Sequence, residues 1–222
     1  MQKIEIEIIH DVVCSWCPIG YNNLKQALLN LQGEVEASIR FLPYELNPDM
    51  PEEGEEIVAH LIRRNGWSTA QVLSYRKNLI ETAADAGLGF DFTKRTHYYN
   101  TFVAHCLIHW AEKFGKQSEL NEVLIKAYFT DGLDMGDLKT LLALCDQVGL
   151  DSVAAKQALM SGNLAEELEV KQARVNALMI KSVPTFLFNG ENIASGFCSV
   201  EMFERYLRSV INKDLLVNKK TS

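Results

Sequence analysis

Cys14 and Cys17, separated by Ser15 and Trp16, are the residues of this chain best suited to covalent chemistry. Thiols three positions apart come to one side of a helical turn, so a disulfide captured by one is open to internal attack by the other. The attacking species in such an exchange is the thiolate. The remaining cysteines, Cys106, Cys145 and Cys198, form no second close pair, and a tetrahedral zinc site would need two more ligands at matching separation. Spacing by itself leaves three readings open: a redox dithiol, a zinc half-site and an idle pair.

What decides between them is where the pair sits. Ile4, Ile6 and Ile8 alternate with Glu5 and Glu7, the period-two pattern of a strand with one buried face, ending near Ile9. After the break from Asp11 to Gly20, Tyr21, Leu24, Leu28 and Leu31 recur at helical spacing until Gly33. Val35, Ala37, Ile39 and Phe41 then alternate again as far as Pro43, so the first 42 residues predict a right-handed βαβ unit with parallel strands. The cysteines therefore fall between a strand and the first turn of a helix, where unpaired amides and the helix dipole favour an anion. Cys14, nearer the helix end and solvent, is assigned as nucleophile, and the deeper Cys17 as resolving thiol. Pro18 has no N–H and cannot bond back to the Cys14 carbonyl. Trp16 has two roles open to it, apolar shielding of the sulfurs and contact with substrate.

From Asn47 to about Leu164 the pattern turns helical, opening with the turn-rich Asn47-Pro48-Asp49-Met50-Pro51. Helices are expected at about 55–64, 69–86, 96–114, 118–129, 137–148 and 151–160. A further helix over 164–178 leads back to strands at Thr185–Phe188 and Asn192–Ser195, joined by an Asn189-Gly190 hairpin turn. A last amphipathic helix over 199–211 precedes a polar tail ending at Ser222. The order predicts an α/β thioredoxin fold interrupted by a large all-helical insertion: a discontinuous thioredoxin-like domain of residues 1–47 and 165–222, and an inserted helical domain of residues 48–164. In that topology Val183-Pro184 faces the cysteine turn, and a cis bond there would leave the Val183 backbone free to pair with an extended peptide. His105 and His109 are one helical turn apart without a third ligand and read as bundle-lining or surface residues. Glu52 to Glu56 and Arg63-Arg64 read as solvated faces.

Composition narrows the class. The chain has 222 residues, 47% hydrophobic and 23% charged, proportions of a globular protein with a sizeable core. A net charge of -7 argues against binding to nucleic acid or anionic lipid. No apolar run approaches the roughly 20 residues of a membrane span. The N-terminal stretch alternates Ile with Glu and lacks the apolar run of an export signal, and five cysteines is an odd number, so the expectation is a cytoplasmic protein with mostly reduced thiols.

Four stretches together resemble the DsbA family of thioredoxin-fold proteins, and within it the FrnE branch of cytoplasmic relatives. They are Asp11-Val12-Val13-Cys14-Ser15-Trp16-Cys17-Pro18-Ile19-Gly20, Phe41-Leu42-Pro43-Tyr44-Glu45-Leu46-Asn47-Pro48-Asp49-Met50-Pro51, Asn100-Thr101 with Ala104-His105, and Ser182-Val183-Pro184-Thr185-Phe186. The resemblance covers nearly the whole chain. It implies a DsbA-like fold, a Cys14/Cys17 redox couple and a cis peptide before Pro184. The activity it implies is thiol–disulfide exchange or isomerisation on protein or small-molecule disulfides, through Cys14 and Cys17, with Trp16, Val183 and Pro184 meeting the substrate. No bound cofactor or metal is implied; glutathione is an expected exchange partner, beside disulfide-containing proteins or peptides and a further redox partner. Ser15-Trp16 stands where the family's strong oxidants carry a histidine, which implies a milder couple, and Cys106 stands where the branch carries arginine. The rival resemblance is to 2-hydroxychromene-2-carboxylate isomerases and kappa-class glutathione transferases, which use serine at position 14 and bind glutathione. The presence of both cysteines favours dithiol exchange.

Overall fold

The computed structural model describes residues 1–218, apart from the side chains of Asn192 and of residues 213–218; the polar end expected at Lys219–Ser222 lies outside the described residues. β1 (Gln2–His10), α1 (Trp16–Asn30) and β2 (Val35–Pro43) form the opening βαβ unit, its strands parallel with Ile6 opposite Ile39. There follow β3 (Glu55–Glu56), α2 (Ile57–Asn65), α3 (Thr69–Asp85), β4 (His97–Tyr98), α4 (Phe102–Glu112), α5 (Gln117–Phe129), α6 (Leu138–Gln147) and α7 (Ser152–Met160). The chain then returns through α8 (Asn163–Ala177), β5 (Thr185–Phe188), β6 (Asn192–Ser195) and α9 (Val200–Asn218). The main sheet runs β2-β1-β5-β6, with β5 antiparallel to both β1 and β6. This is the expected thioredoxin-like arrangement with a helical insertion. Asn189 and Gly190 turn the β5–β6 hairpin with φ of 48° and 73°, the two positive angles a tight hairpin needs.

The sheet is covered on both faces. Ile4, Ile6 and Ile8 enter the large core with Leu24 and Ala27 of α1 and Phe203 and Leu207 of α9. On the opposite face Ile9, Leu42, Val175 and Leu187 make a second, smaller core beneath α8. Glu7, expected on a solvated face, is only 3% exposed, because α8 brings Arg174 onto it while Arg40 of β2 pairs with it at 2.6 Å. A carboxylate under a helix must be matched by cations, and two supply that match. The outer edge of β2 is closed in part by Gln117, whose side chain accepts from Phe41 N at 2.9 Å and donates to Phe41 O at 3.4 Å. An edge strand so occupied is a poorer template for another chain.

The insertion departs from pure helix in one place. The helix expected from Thr96 begins only at Phe102, because His97 and Tyr98 pair as β4 with β3. Ile57 N bonds to Thr96 O at 2.9 Å, and Asn100 ties the following loop by donating to Pro48 O at 3.0 Å and accepting from Phe102 N at 3.0 Å. Gly54 makes this approach feasible: at φ 75° a Cβ there would stand 2.4 Å from the Tyr98 carbonyl oxygen. Glu55, grouped with the solvated acidic run, is instead bonded to Arg63 at 2.6 Å and His60 at 2.6 Å. Those two partners, Arg63 first, hold its carboxyl down to about 2.

Candidate active site

The chain leaves β1 in two successive turns. Cys14 N donates to Asp11 O at 3.1 Å, and Cys17 N donates to Cys14 O at 3.2 Å. α1 starts at Trp16, so Cys14 lies just ahead of the N-cap residue Ser15 and Cys17 lies in the first turn. The Ser15 side chain makes no capping bond, which leaves the first-turn amides unclaimed by the cap. All five cysteines are free thiols. Cys14 is 6% exposed and Cys17 3%, and the two thiols are close enough to interact electrostatically. Burial, then the neighbouring Cys14, pushes the Cys17 thiol well above the ordinary range. Cys17 is therefore stored as a protonated thiol.

The β5 side supplies the opposite wall. The Val183–Pro184 peptide bond is cis, and the Cys14 thiol donates to the Val183 carbonyl at 3.7 Å. Gly20 lets the first turns of α1 approach this corner: a Cβ at that position would meet Phe186 Cζ at 3.0 Å and Pro184 Cγ at 3.3 Å. The structure thus brings together Cys14, Cys17, Val183 and Pro184, four of the five residues singled out from the sequence. Trp16, the fifth, is half-buried at the rim. Its indole donates to the Tyr75 hydroxyl at 3.1 Å, and its ring meets Phe197 edge-on at 5.9 Å. Tyr75 in turn packs against Trp67 at 5.1 Å between ring centres. Trp16 is thus one member of an aromatic strip that runs from the insertion across the cysteine turn to Phe197, which is 48% exposed.

Beneath the sulfurs lies a polar layer that sequence reasoning did not assign. Asp11 is fully buried; its carboxylate accepts from Leu46 N at 2.7 Å and Val13 N at 3.4 Å and stands 3.5 Å from His105 Nε2. It therefore joins the cysteine loop to the loop after β2 and to α4. His105, read as bundle-lining, faces this carboxylate, whereas His109 pairs with Glu167 of α8 at 2.6 Å. The two histidines do not share a ligand, and among the described residues no three metal-ligating side chains cluster. Burial raises the Glu45 carboxyl above its usual range and pushes the Cys106 thiol up to about 11, so Cys106 is a buried neutral group. Burial also pushes the Tyr75 hydroxyl up to about 12. The sequence signal for Asp11 was an acidic residue extending a strand that is otherwise buried; Tyr75 carried none.

His10 gives this layer a pH signature. Burial, then the neighbouring His105, holds its imidazole well below the ordinary range. The unfolded chain takes up a proton near pH 6.5 that the folded chain refuses. Stability is therefore complete above about pH 6.5 and is lost as pH falls from there toward the depressed folded value, at up to about 1.4 kcal/mol per pH unit. Denaturant titrations between pH 5 and 7 are expected to show that decline in the wild type and a flatter profile in His10→Gln. Equal slopes would rule out His10 as its source.

The model of the family described as DSBA-like thioredoxin domain matches residues 5–208. The Bacillus subtilis protein YwbO is 26% identical over 204 residues, 91% of this chain and 94% of its own. The crystal structure of a probable DsbA oxidoreductase from Streptomyces coelicolor superposes with a TM-score of 0.84 at 26% identity, covering 93% of this chain and 89% of that one. A 2-hydroxychromene-2-carboxylate isomerase shares the fold, with a TM-score of 0.65 at 19% identity over 98% of this chain and 99% of its own. With the family match spanning both arms of the sheet and everything inserted between them, the chain belongs to the DSBA-like thioredoxin-domain family.

Proposed function

We propose that this protein is a thiol–disulfide oxidoreductase acting on protein and peptide disulfides through Cys14 and Cys17. In the reducing direction the Cys14 thiolate attacks one sulfur of a substrate disulfide, forming a mixed disulfide and releasing the other sulfur as a thiolate that takes up a proton. Cys17 then gives up its proton and attacks Cys14 Sγ; the Cys14–Cys17 disulfide forms and the second substrate thiol leaves. The substrate gains two electrons and the protein loses two. Two glutathione thiols return the dithiol and leave as oxidised glutathione, so no bound cofactor or metal is required. The same steps in reverse oxidise a dithiol, and exchange without net transfer isomerises.

The observation that supports this reading best is the pair of interacting thiols at the start of α1, with Cys14 facing the Val183 carbonyl. An extended substrate backbone would pair beside Val183 and Pro184, with Trp16 and Phe197 offering apolar surface to its side chains. In this reading the insert 48–164 contributes Tyr75 and the wall of the site, and the discontinuous unit 1–47 with 165–222 contributes the sulfurs. Five free thiols suit the reducing cytoplasm. Insulin reduction in a glutathione buffer tests the reading: Cys14→Ser is expected to fall to the uncatalysed background while remaining folded, and wild-type turnover in that variant would refute it.

A further inference from the structure

Arg95, in the segment between α3 and β4, is 2% exposed. Among the described residues no carboxylate stands within ion-pair distance of it. A guanidinium cannot discharge by losing its proton, and a buried unpaired cation is costly. Aromatic rings take the place of a counter-ion. The guanidinium carbon lies 4.6 Å from the Tyr128 ring centre, 4.7 Å from Phe129, 5.1 Å from Phe92 and 5.2 Å from Tyr98. Ring faces attract a cation but do not neutralise it.

The end of the guanidinium points at the redox loop. One terminal N–H group donates to the Val13 carbonyl at 3.3 Å, the oxygen of the peptide group that leads into Cys14. The guanidinium also lies against the Tyr98 and Tyr128 rings, and the Tyr128 hydroxyl donates to His97 O at 2.8 Å. Tyr75, which holds the Trp16 indole, lies within electrostatic reach of both Cys14 and Arg95. The other titratable groups around the loop are Asp11 just after β1, bonded to Leu46 N with His105 of α4 at 3.5 Å, and the protonated Cys17. A fixed positive charge thus lies under the cysteine loop beside the buried Asp11 carboxylate, and an ionised Cys14 would add an anion that faces it.

We propose that Arg95 is the built-in counter-charge of the Cys14 thiolate, increasing the population of the attacking species and making the dithiol couple more oxidising. This rests on the dithiol reading above. Arg95 touches neither substrate nor sulfur; it is a positioning residue that acts on the redox loop through its charge. The stored cation gives the chain an electrostatic asset on the insertion side of the site, where the residues between the cysteines, Ser15 and Trp16, supply none.

Site-resolved alkylation of Cys14 against pH, together with the reduction potential in glutathione buffers, tests it in the wild type, Arg95→Met and Arg95→Lys. The wild type is expected to show a Cys14 pKa clearly below the free-thiol value of about 8.5. Arg95→Met is expected to raise that pKa by about one unit or more, leaving less thiolate at neutral pH and a more reducing couple. Arg95→Lys, which keeps the charge and loses the fork, is expected to stay near the wild type. A folded Arg95→Met with unchanged pKa and potential overturns the proposal, as does an Arg95→Lys that shifts as far as Arg95→Met. Should Arg95→Met fail to fold, the wild type decides: a Cys14 pKa at or above the free-thiol value overturns it. Failure of the dithiol reading is read separately, as a wild type that forms no reversible Cys14–Cys17 disulfide.

Discussion

Cys17→Ser is expected to hold substrate covalently at Cys14, so that incubation with a disulfide peptide yields a protein heavier by one peptide arm and releasable by dithiothreitol. Cys14 can still attack in this variant, because the turn that presents it depends on Asp11 O and on backbone bonds that a serine at position 17 leaves in place. What is lost is the internal thiol beside Cys14. Intramolecular attack replaces a thiol that would otherwise have to diffuse in, and effective molarities for well-placed groups run to roughly 10⁵ M or more. Resolution by millimolar external thiol is therefore expected to be slower by at least about 10³-fold. Intact-mass measurement over time checks it. A variant that releases substrate at the wild-type rate would mean that Cys17 does not resolve.

Asp11→Ala is expected to cost about 3 kcal/mol of stability and to slow exchange together with it. Two backbone amides depend on this buried carboxylate, Leu46 N at 2.7 Å and Val13 N at 3.4 Å, and His105 stands 3.5 Å from it. Removing one member of a buried polar set leaves the others desolvated and unpaired, which is what makes the loss large. Loss of the other buried carboxylate on the same sheet is milder, since its partners Arg40 and Arg174 are nearly half exposed and resume hydration if Glu7 is removed. Denaturant unfolding of Asp11→Ala beside Glu7→Gln checks the order: the first loss is expected to exceed the second, and a loss below about 1 kcal/mol for Asp11→Ala would count against its role as the tie between the cysteine loop, β2 and α4.

The legible parts of the chain were those written in local pattern. Ile4, Ile6 and Ile8, the run from Tyr21 to Leu31, and the Asn189-Gly190 turn each carry their geometry in neighbouring residues, and β1, α1 and the β5–β6 hairpin stand where those patterns put them. Two-residue strands have no period to detect, so β3 and β4 were read as helix; what makes them is a pairing between residues some forty apart in sequence and a glycine that tolerates the contact. Glu7 looked solvent-facing because alternation reports one buried face, and the cover on the other comes from α8, far along the chain. The same applies at the site. Cys14, Cys17, Trp16, Val183 and Pro184 could be named from motif and order, but Asp11 with His105, Tyr75 with Trp16 and Arg95 with Val13 are contacts between distant segments, which no window of sequence displays.

The most direct measurement is the thiol count of the wild type equilibrated in buffers of graded reduced and oxidised glutathione, quenched by alkylation and mapped by mass. The predicted result is that Cys14 and Cys17 lose reactivity together as an intramolecular disulfide, reversibly, while Cys106, Cys145 and Cys198 remain alkylatable after denaturation. No Cys14–Cys17 disulfide at any ratio, with saturable binding of glutathione and full function retained in Cys17→Ser, would contradict it and point instead to glutathione-dependent isomerisation or transfer.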